Sequence, residues 1–148
     1  MRAVVQRVKE GSVSIDGKIH ASIDKGYVIF LGIRTGDTKE SAIFLAEKCS
    51  ALRVFEDSAG KMNLGLNDVN GSIIAVSQFT LYADAQKGNR PSFTEAARPE
   101  EAEPLYEAFV ERLRSVLGNS RVCTGVFRAM MDVKIVNDGP VTILIEGK

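Results

Sequence analysis

Seven consecutive residues, Tyr27-Val28-Ile29-Phe30-Leu31-Gly32-Ile33, set the tightest limit on what this chain can fold into. The run is apolar and shows no alternation, so it reads as a strand buried on both faces. Ser72-Ile73-Ile74-Ala75-Val76 is a second buried run, rich in β-branched residues. Ahead of both, Ser12–Ile15 and Lys18–Ile23 alternate on either side of Asp16-Gly17. Both turn positions of such a hairpin want positive φ, and Asp-Gly supplies it. Residues 2–9 read as a further strand, with Val4 and Val8 on one face.

Two helices are expected. Asp37-Thr38-Lys39-Glu40 looks like a capping box, with Asp37 as N-cap and Glu40 reaching back. The helix it opens carries Ala42, Leu45, Ala46, Cys49 and Leu52 on one stripe. The second helix has Glu100, Glu101 and Glu103 near its positive end and Arg112 and Arg114 near its negative end. Pro99 or Pro104 occupies its first turn. Leu105, Phe109, Leu113 and Val116 form its buried stripe, and Gly118 stops it. Arg53–Phe55 reads as a short strand, Asp57–Gly60 and Asn70-Gly71 as turns. Arg121–Thr124, Met130–Val136 and Val141–Glu146 are closing strands. The expectation is one mixed α/β domain over residues 1–148, in the order β-β-β-α-β-α-β-β-β. Its sheets are mostly antiparallel or mixed, with two helices packed on one side.

With 148 residues, 45% of them hydrophobic, the chain can bury a sizeable core. Nineteen basic and nineteen acidic residues cancel, so no whole-molecule field gathers nucleic acid, and any RNA contact must be local. No apolar run is long enough to span a bilayer and no signal peptide is visible, which points to the cytoplasm and away from a membrane partner. Cys49 and Cys123 read as reduced core thiols. His20, the only histidine, sits in a hairpin arm, so neither a metal centre nor a Ser-His-Asp triad is expected.

The chemistry gathers in two stretches. In Ser77-Gln78-Phe79-Thr80-Leu81-Tyr82 a buried strand turns polar as it leaves the core, which puts Ser77, Gln78 and Thr80 at the mouth of a pocket. Asn137-Asp138-Gly139-Pro140-Val141-Thr142 is the second. Taken alone, the first is an ordinary strand end and the second an ordinary turn. Between them, residues 83–98 lack periodicity and include Lys87-Gly88-Asn89-Arg90-Pro91-Ser92-Phe93, a mobile basic loop with one aromatic.

Together the two stretches resemble the signature motifs of the D-aminoacyl-tRNA deacylases. Met1–Val8, Gly60-Lys61-Met62-Asn63, Lys87–Phe93 and Leu105-Tyr106 are similar to the same family, in the same order and spacing. The resemblance implies hydrolysis of the ester between a D-amino acid and the terminal adenosine of tRNA, with no cofactor and no DNA partner. Glycine mischarged onto tRNA is an implied second substrate. A homodimer is also implied, with active sites at the interface. In it Ser77, Gln78, Phe79 and Thr80 of one subunit meet Gly139-Pro140 of the other across a cis peptide bond. Two backbone carbonyls there hold the substrate's amino group and leave no room for an L side chain. Arg7 and Asn137 take supporting roles. Phe127 and Met131 match the adenosine pocket, Ala102 more weakly. Lys87, Arg90 and Phe93 read either as a solvated loop or as phosphate contact plus base stacking at the single-stranded tRNA end.

Family sequences carry Thr-Gly-x-Phe-Gly-Ala before the closing strands, whereas this chain has Thr124-Gly125-Val126-Phe127-Arg128-Ala129. If the replaced glycine serves positive φ, the loop must take another shape; if not, Arg128 is free to add a phosphate contact. For the reaction two mechanisms stand. Thr80 attacks with an unseen base, or the ribose 2′-hydroxyl assists a water while Thr80 only shapes an oxyanion hole. The second is favoured, because the motif holds no base. A non-catalytic RNA-binding domain of the same fold is the alternative from another class. A general esterase ranks last, for lack of Gly-x-Ser-x-Gly.

Overall fold

The computed structural model describes residues 1–148. Its hub is β1 (Arg2–Ile15). One edge of β1 pairs antiparallel with β8 (Asp132–Glu146) along almost its whole length. The other edge pairs first with β3 (Gly26–Gly32), through Arg2–Val8, and then with β2 (Lys18–Ile23), through Gly11–Ile15. Beyond β3 the sheet continues in parallel, to β6 (Ser72–Ser77) and then β7 (Val122–Thr124). β4 (Phe55–Glu56) and β5 (Met62–Leu64) form a separate ribbon. α1 (Lys39–Ser50) and α2 (Pro99–Leu117) complete a single mixed α/β unit with a mostly sheet core.

The lack of alternation in β3 has a structural cause, because the sheet has a core on each face. Tyr27, Ile29 and Leu31 join Ala3, Val5, Ile73 and Ala75 against both helices, in the larger cluster. Val28 points the other way, into a smaller cluster with Val8, Val13, Ile23, Ile74 and Val76. Alternate residues of one strand thus enter different cores, and both faces must be apolar. Both helices pack on the larger cluster, on one side of the sheet, as expected.

Several local expectations change. The strands read at 2–9 and 12–15 are one strand. Lys9-Glu10-Gly11 does not interrupt it, because β8 continues to pair alongside with only two register irregularities. The closing strands read at 130–136 and 141–146 are likewise one strand, starting at Asp132, and Asn137–Pro140 is an irregularity within it rather than a terminal turn. The strand read at Arg53–Phe55 lies at Phe55–Glu56, and the three-residue β5 was not expected at all. β6 stops at Ser77.

Thr38, not Asp37, caps α1, its hydroxyl accepting from the Ser41 N–H at 3.3 Å. Asp37 is drawn elsewhere: it accepts from the Met1 amino group and from the Arg34 N–H, each at 2.6 Å. Leu52 lies past the end of α1 but still packs on the core. In α2, Pro99 takes the first position and Pro104 lies inside the helix. Val116 is 41% exposed, and Tyr106, Val110 and Leu117 are buried in its stead. Residues 83–98 are closed by reciprocal 2.8 Å backbone bonds between Asp84 and Ser92 and tied to the body by the Ala97 N–H on the Ile33 carbonyl, the Thr35 N–H on the Glu95 carbonyl and the 2.6 Å Arg34–Glu95 ion pair.

Candidate active site

β6, between β3 and β7, ends at Ser77 beside Leu31, and the Gln78 N–H still donates to the Leu31 carbonyl at 2.8 Å. The chain then tightens into a 3-10 turn, Phe79–Tyr82. Gly32 permits this close approach, since a Cβ there would lie 2.9 Å from the Leu81 Cβ. Arg2 holds the far end of the turn, donating to the Leu81 carbonyl at 2.9 Å with its guanidinium over the Tyr82 ring. The first hydrogen bond of the turn runs from the Leu81 N–H to the Gln78 carbonyl at 3.3 Å. The N–H groups of Phe79 and Thr80 precede it and have no partner within the turn. The Gln78 side-chain amide reaches the Thr80 hydroxyl.

Ser77, Gln78 and Phe79 form one wall of a cavity of about 610 Å³. Phe127, Met131, Val76 and Ala102 line it as well, and Phe93 reaches in from the 83–98 loop to meet Phe79 edge-on, ring centroids 5.2 Å apart. The volume falls in the range of small-molecule sites. Phe127 is fixed from behind by the Tyr106 ring, 5.9 Å away, and the Tyr106 hydroxyl donates to the Ala75 carbonyl of β6 at 2.9 Å. Gly125 leaves space for Met131, because a Cβ would lie 2.6 Å from its sulfur. No histidine or carboxylate lines the cavity, and Arg128 is its one charged residue. Burial pushes the phenols of Tyr82 and Tyr106 up to about 12, so neither supplies a phenolate base near neutral pH.

Ser77, Gln78, Phe79, Phe127 and Met131 thus come together. Thr80 is exposed at the rim and not among the lining residues. Lys87 and Arg90 are exposed on the loop tip and do not line the cavity either; Phe93 is the loop residue that does. Ile33, Ala96, Ala97, Pro99, Ala129, Met130 and Val133 also line it and were not expected there. Arg128 has φ +67°, so the loop keeps the left-handed position without a glycine.

The second stretch stands apart. Val8 pairs with Asn137 and Gln6 with Thr142, so Arg7 alone faces Asp138–Val141, which bulge from the edge of β8. Asn137 closes the bulge: its side-chain oxygen accepts from the Val141 N–H and its amide donates to the Thr142 hydroxyl, both at 3.2 Å. Arg7 is buried beneath, donating to the Asp138 carbonyl at 3.1 Å and to the Val54 carbonyl at 2.6 Å. Gly139 has φ +124°, and a Cβ there would lie 2.8 Å from the Val141 side chain and 3.0 Å from the Arg7 guanidinium. The Gly139-Pro140 peptide is cis, and both residues are exposed.

The register gives the separation of the two stretches. Ser77, Leu31, Ala3 and Ile145 lie in a row across four strands, while Gly139-Pro140 faces Arg7, four residues along β1. At about 4.8 Å per strand and 3.3 Å per residue, they are roughly 20 Å apart in one chain.

The sequence profile of the family described as D-Tyr-tRNA(Tyr) deacylase matches residues 4–146. The chain is 52% identical to a D-aminoacyl-tRNA deacylase of Halalkalibacterium halodurans over the full length of both. It is 55% identical to one of Thermus aquaticus, over 99% of this chain and 95% of that one. The fold superposes on the solved structure of c-Myc DNA Unwinding Element Binding Protein with a TM-score of 0.93 and 42% identity, covering 99% of this chain and 98% of that chain. It also superposes on a probable eukaryotic D-amino acid tRNA deacylase with a TM-score of 0.84, covering 97% of each chain, where 17% identity speaks for the fold alone.

Proposed function

The chain belongs to the D-Tyr-tRNA(Tyr) deacylase family, and from that premise we propose how its two motif stretches divide the work. The protein is a hydrolase, a D-aminoacyl-tRNA deacylase, with tRNA as the substrate carrier. The proposed active species is a homodimer in which the Ser77–Phe79 wall and the turn that follows it in one subunit receive Gly139-Pro140 of the other. One observation carries this reading: the two stretches lie roughly 20 Å apart within a chain, yet Gly139-Pro140 projects from an exposed edge strand. A second copy can supply what the cavity lacks.

In this reading the terminal adenosine enters between Phe127 and Met131. The ester carbonyl lies against the turn, where the Phe79 and Thr80 N–H groups face the developing oxyanion. The partner's Gly139-Pro140 carbonyls hold the α-amino group and block an L side chain, so selection works by exclusion and needs no pocket for any one D side chain. Glycine, having no side chain, is admitted, which makes mischarged glycyl-tRNA a second substrate. Lys87 and Arg90, outside the cavity, are placed for phosphates further along the tRNA. The cytoplasm is the proposed compartment, and no helix is long and apolar enough to cross a membrane.

The test charges one tRNA with D- or L-tyrosine and follows ester loss. Rapid loss of the D ester with the L ester spared is the expected result. Equal rates on both would sink the gate. Binding of the tRNA with neither ester lost would favour the non-catalytic RNA-binding domain instead.

A further inference from the structure

We propose that Arg128 is a substrate-binding residue whose guanidinium takes the phosphate on the 5′ side of an adenosine seated in the cavity. Three non-glycine residues have positive φ: Asp16, Asn70 and Arg128. Asp and Asn accept that conformation because their short polar side chains bond locally, and Asp16 serves the β1–β2 hairpin. Arginine has no such local compensation. Backbone outliers of this kind are held by the structure around them and cluster at active sites and ligand clamps.

The surroundings point to the work. Arg128 sits between Phe127 and Ala129 at the cavity wall, and its exposed guanidinium is in no side-chain hydrogen bond or ion pair of the chain. The other lining residues are uncharged and mostly apolar, Phe79, Phe93, Phe127 and Met131 among them. An aromatic base fits these walls, and a planar, unpaired guanidinium at the rim fits a phosphate oxygen pair. A ligand with a flat apolar body and one attached phosphate satisfies both halves. Adenosine 5′-monophosphate is the smallest such probe, and it has the chemistry of a tRNA 3′ end. The assignment of that end rests on the deacylase reading above.

The test measures equilibrium binding of adenosine 5′-monophosphate and of adenosine to the wild-type protein, Arg128→Gly and Arg128→Lys. Wild type is expected to prefer the phosphorylated probe by about tenfold, Arg128→Gly to lose that preference, and Arg128→Lys to keep part of it. Arg128→Gly is also expected to raise Tm by roughly 2–6 °C, because glycine takes the left-handed position without strain. Equal binding of both probes by wild type, binding of neither, or a phosphate preference retained in Arg128→Gly overturns the proposal. These measurements need no turnover, so their failure leaves the deacylase reading intact. Absence of hydrolysis by wild type would sink that reading and leave the binding comparison standing.

Discussion

Phe79→Pro is expected to lower kcat by about 10²–10³, the loss that follows removal of one oxyanion-hole donor. Proline deletes the Phe79 N–H while leaving the local backbone intact. Phe79 opens a 3-10 turn, where φ near −65° is normal. Gln78 before it has φ −140° and ψ 84°, outside the α region that a following proline disfavours. The lost donor has no partner in the turn, so the fold gives up no hydrogen bond there. Phe79→Ala is the control, since it removes the same ring from the cavity wall and from Phe93 but keeps the N–H. It is expected to act mainly on KM. Equal falls in kcat for the two variants would move the catalytic contribution from the backbone to the ring.

The second large effect concerns the base that the cavity lacks. No histidine or carboxylate lines it, and Tyr82 and Tyr106, outside the lining and pushed further up by burial, are protonated near neutral pH. An alcohol nucleophile at Thr80 would have nothing to take its proton. If the ribose 2′-hydroxyl assists the attacking water, D-tyrosyl-tRNA ending in 2′-deoxyadenosine is expected to resist hydrolysis. Thr80→Ala is expected to retain substantial activity, in line with the exposed position of Thr80 outside the lining. The two rates are measured side by side in single-turnover assays. Full activity on the deoxy substrate, or an inactive Thr80→Ala that remains folded, reverses the assignment.

Much of this arrangement is legible in the residues, but not all for the same reason. The two-faced burial of Tyr27–Ile33 can be read because each residue of a strand reports on the core it enters, and here there are two cores. The polar strand end at Ser77–Thr80 is an ordinary strand end taken alone, and it stands out only beside Asn137–Thr142 and the rest of the family resemblance. The continuity of β1 and β8 cannot be read. It depends on each strand finding the other across more than 100 residues of sequence, and Lys9-Glu10-Gly11 or Asn137–Pro140 looks like a break until the partner is known. Asp37 misleads for a similar reason: a carboxylate three residues before Glu40 fits a cap, but Met1 and the Arg34 N–H claim it. The cavity walls contributed by Ile33 and Ala97 are ordinary apolar residues whose role arises only from packing. Which residues of the basic loop reach the cavity is not legible either: a loop closed by the Asp84–Ser92 bonds leaves Lys87 and Arg90 outside it and brings Phe93 in.

Arg7 shows how closely the bulge is tied to its own chain. Its guanidinium is buried and bridges the Asp138 and Val54 carbonyls, so the height of Gly139-Pro140 above the sheet is set within one subunit. What that edge then meets is the central claim, and complementation tests it most directly. Phe79→Pro damages the turn half of a site. Gly139→Ala damages the bulge half, because its Cβ would crowd Val141 and Arg7 at a φ that disfavours alanine. Each variant alone is expected to be nearly inactive. Unfolded together in equal amounts and refolded, they re-pair at random. About half of the dimers are then mixed, each with one intact site, and activity returns to roughly one quarter of wild type if the halves come from different subunits. No recovery from well-folded mixed dimers would mean that both halves belong to one chain, and would contradict the account.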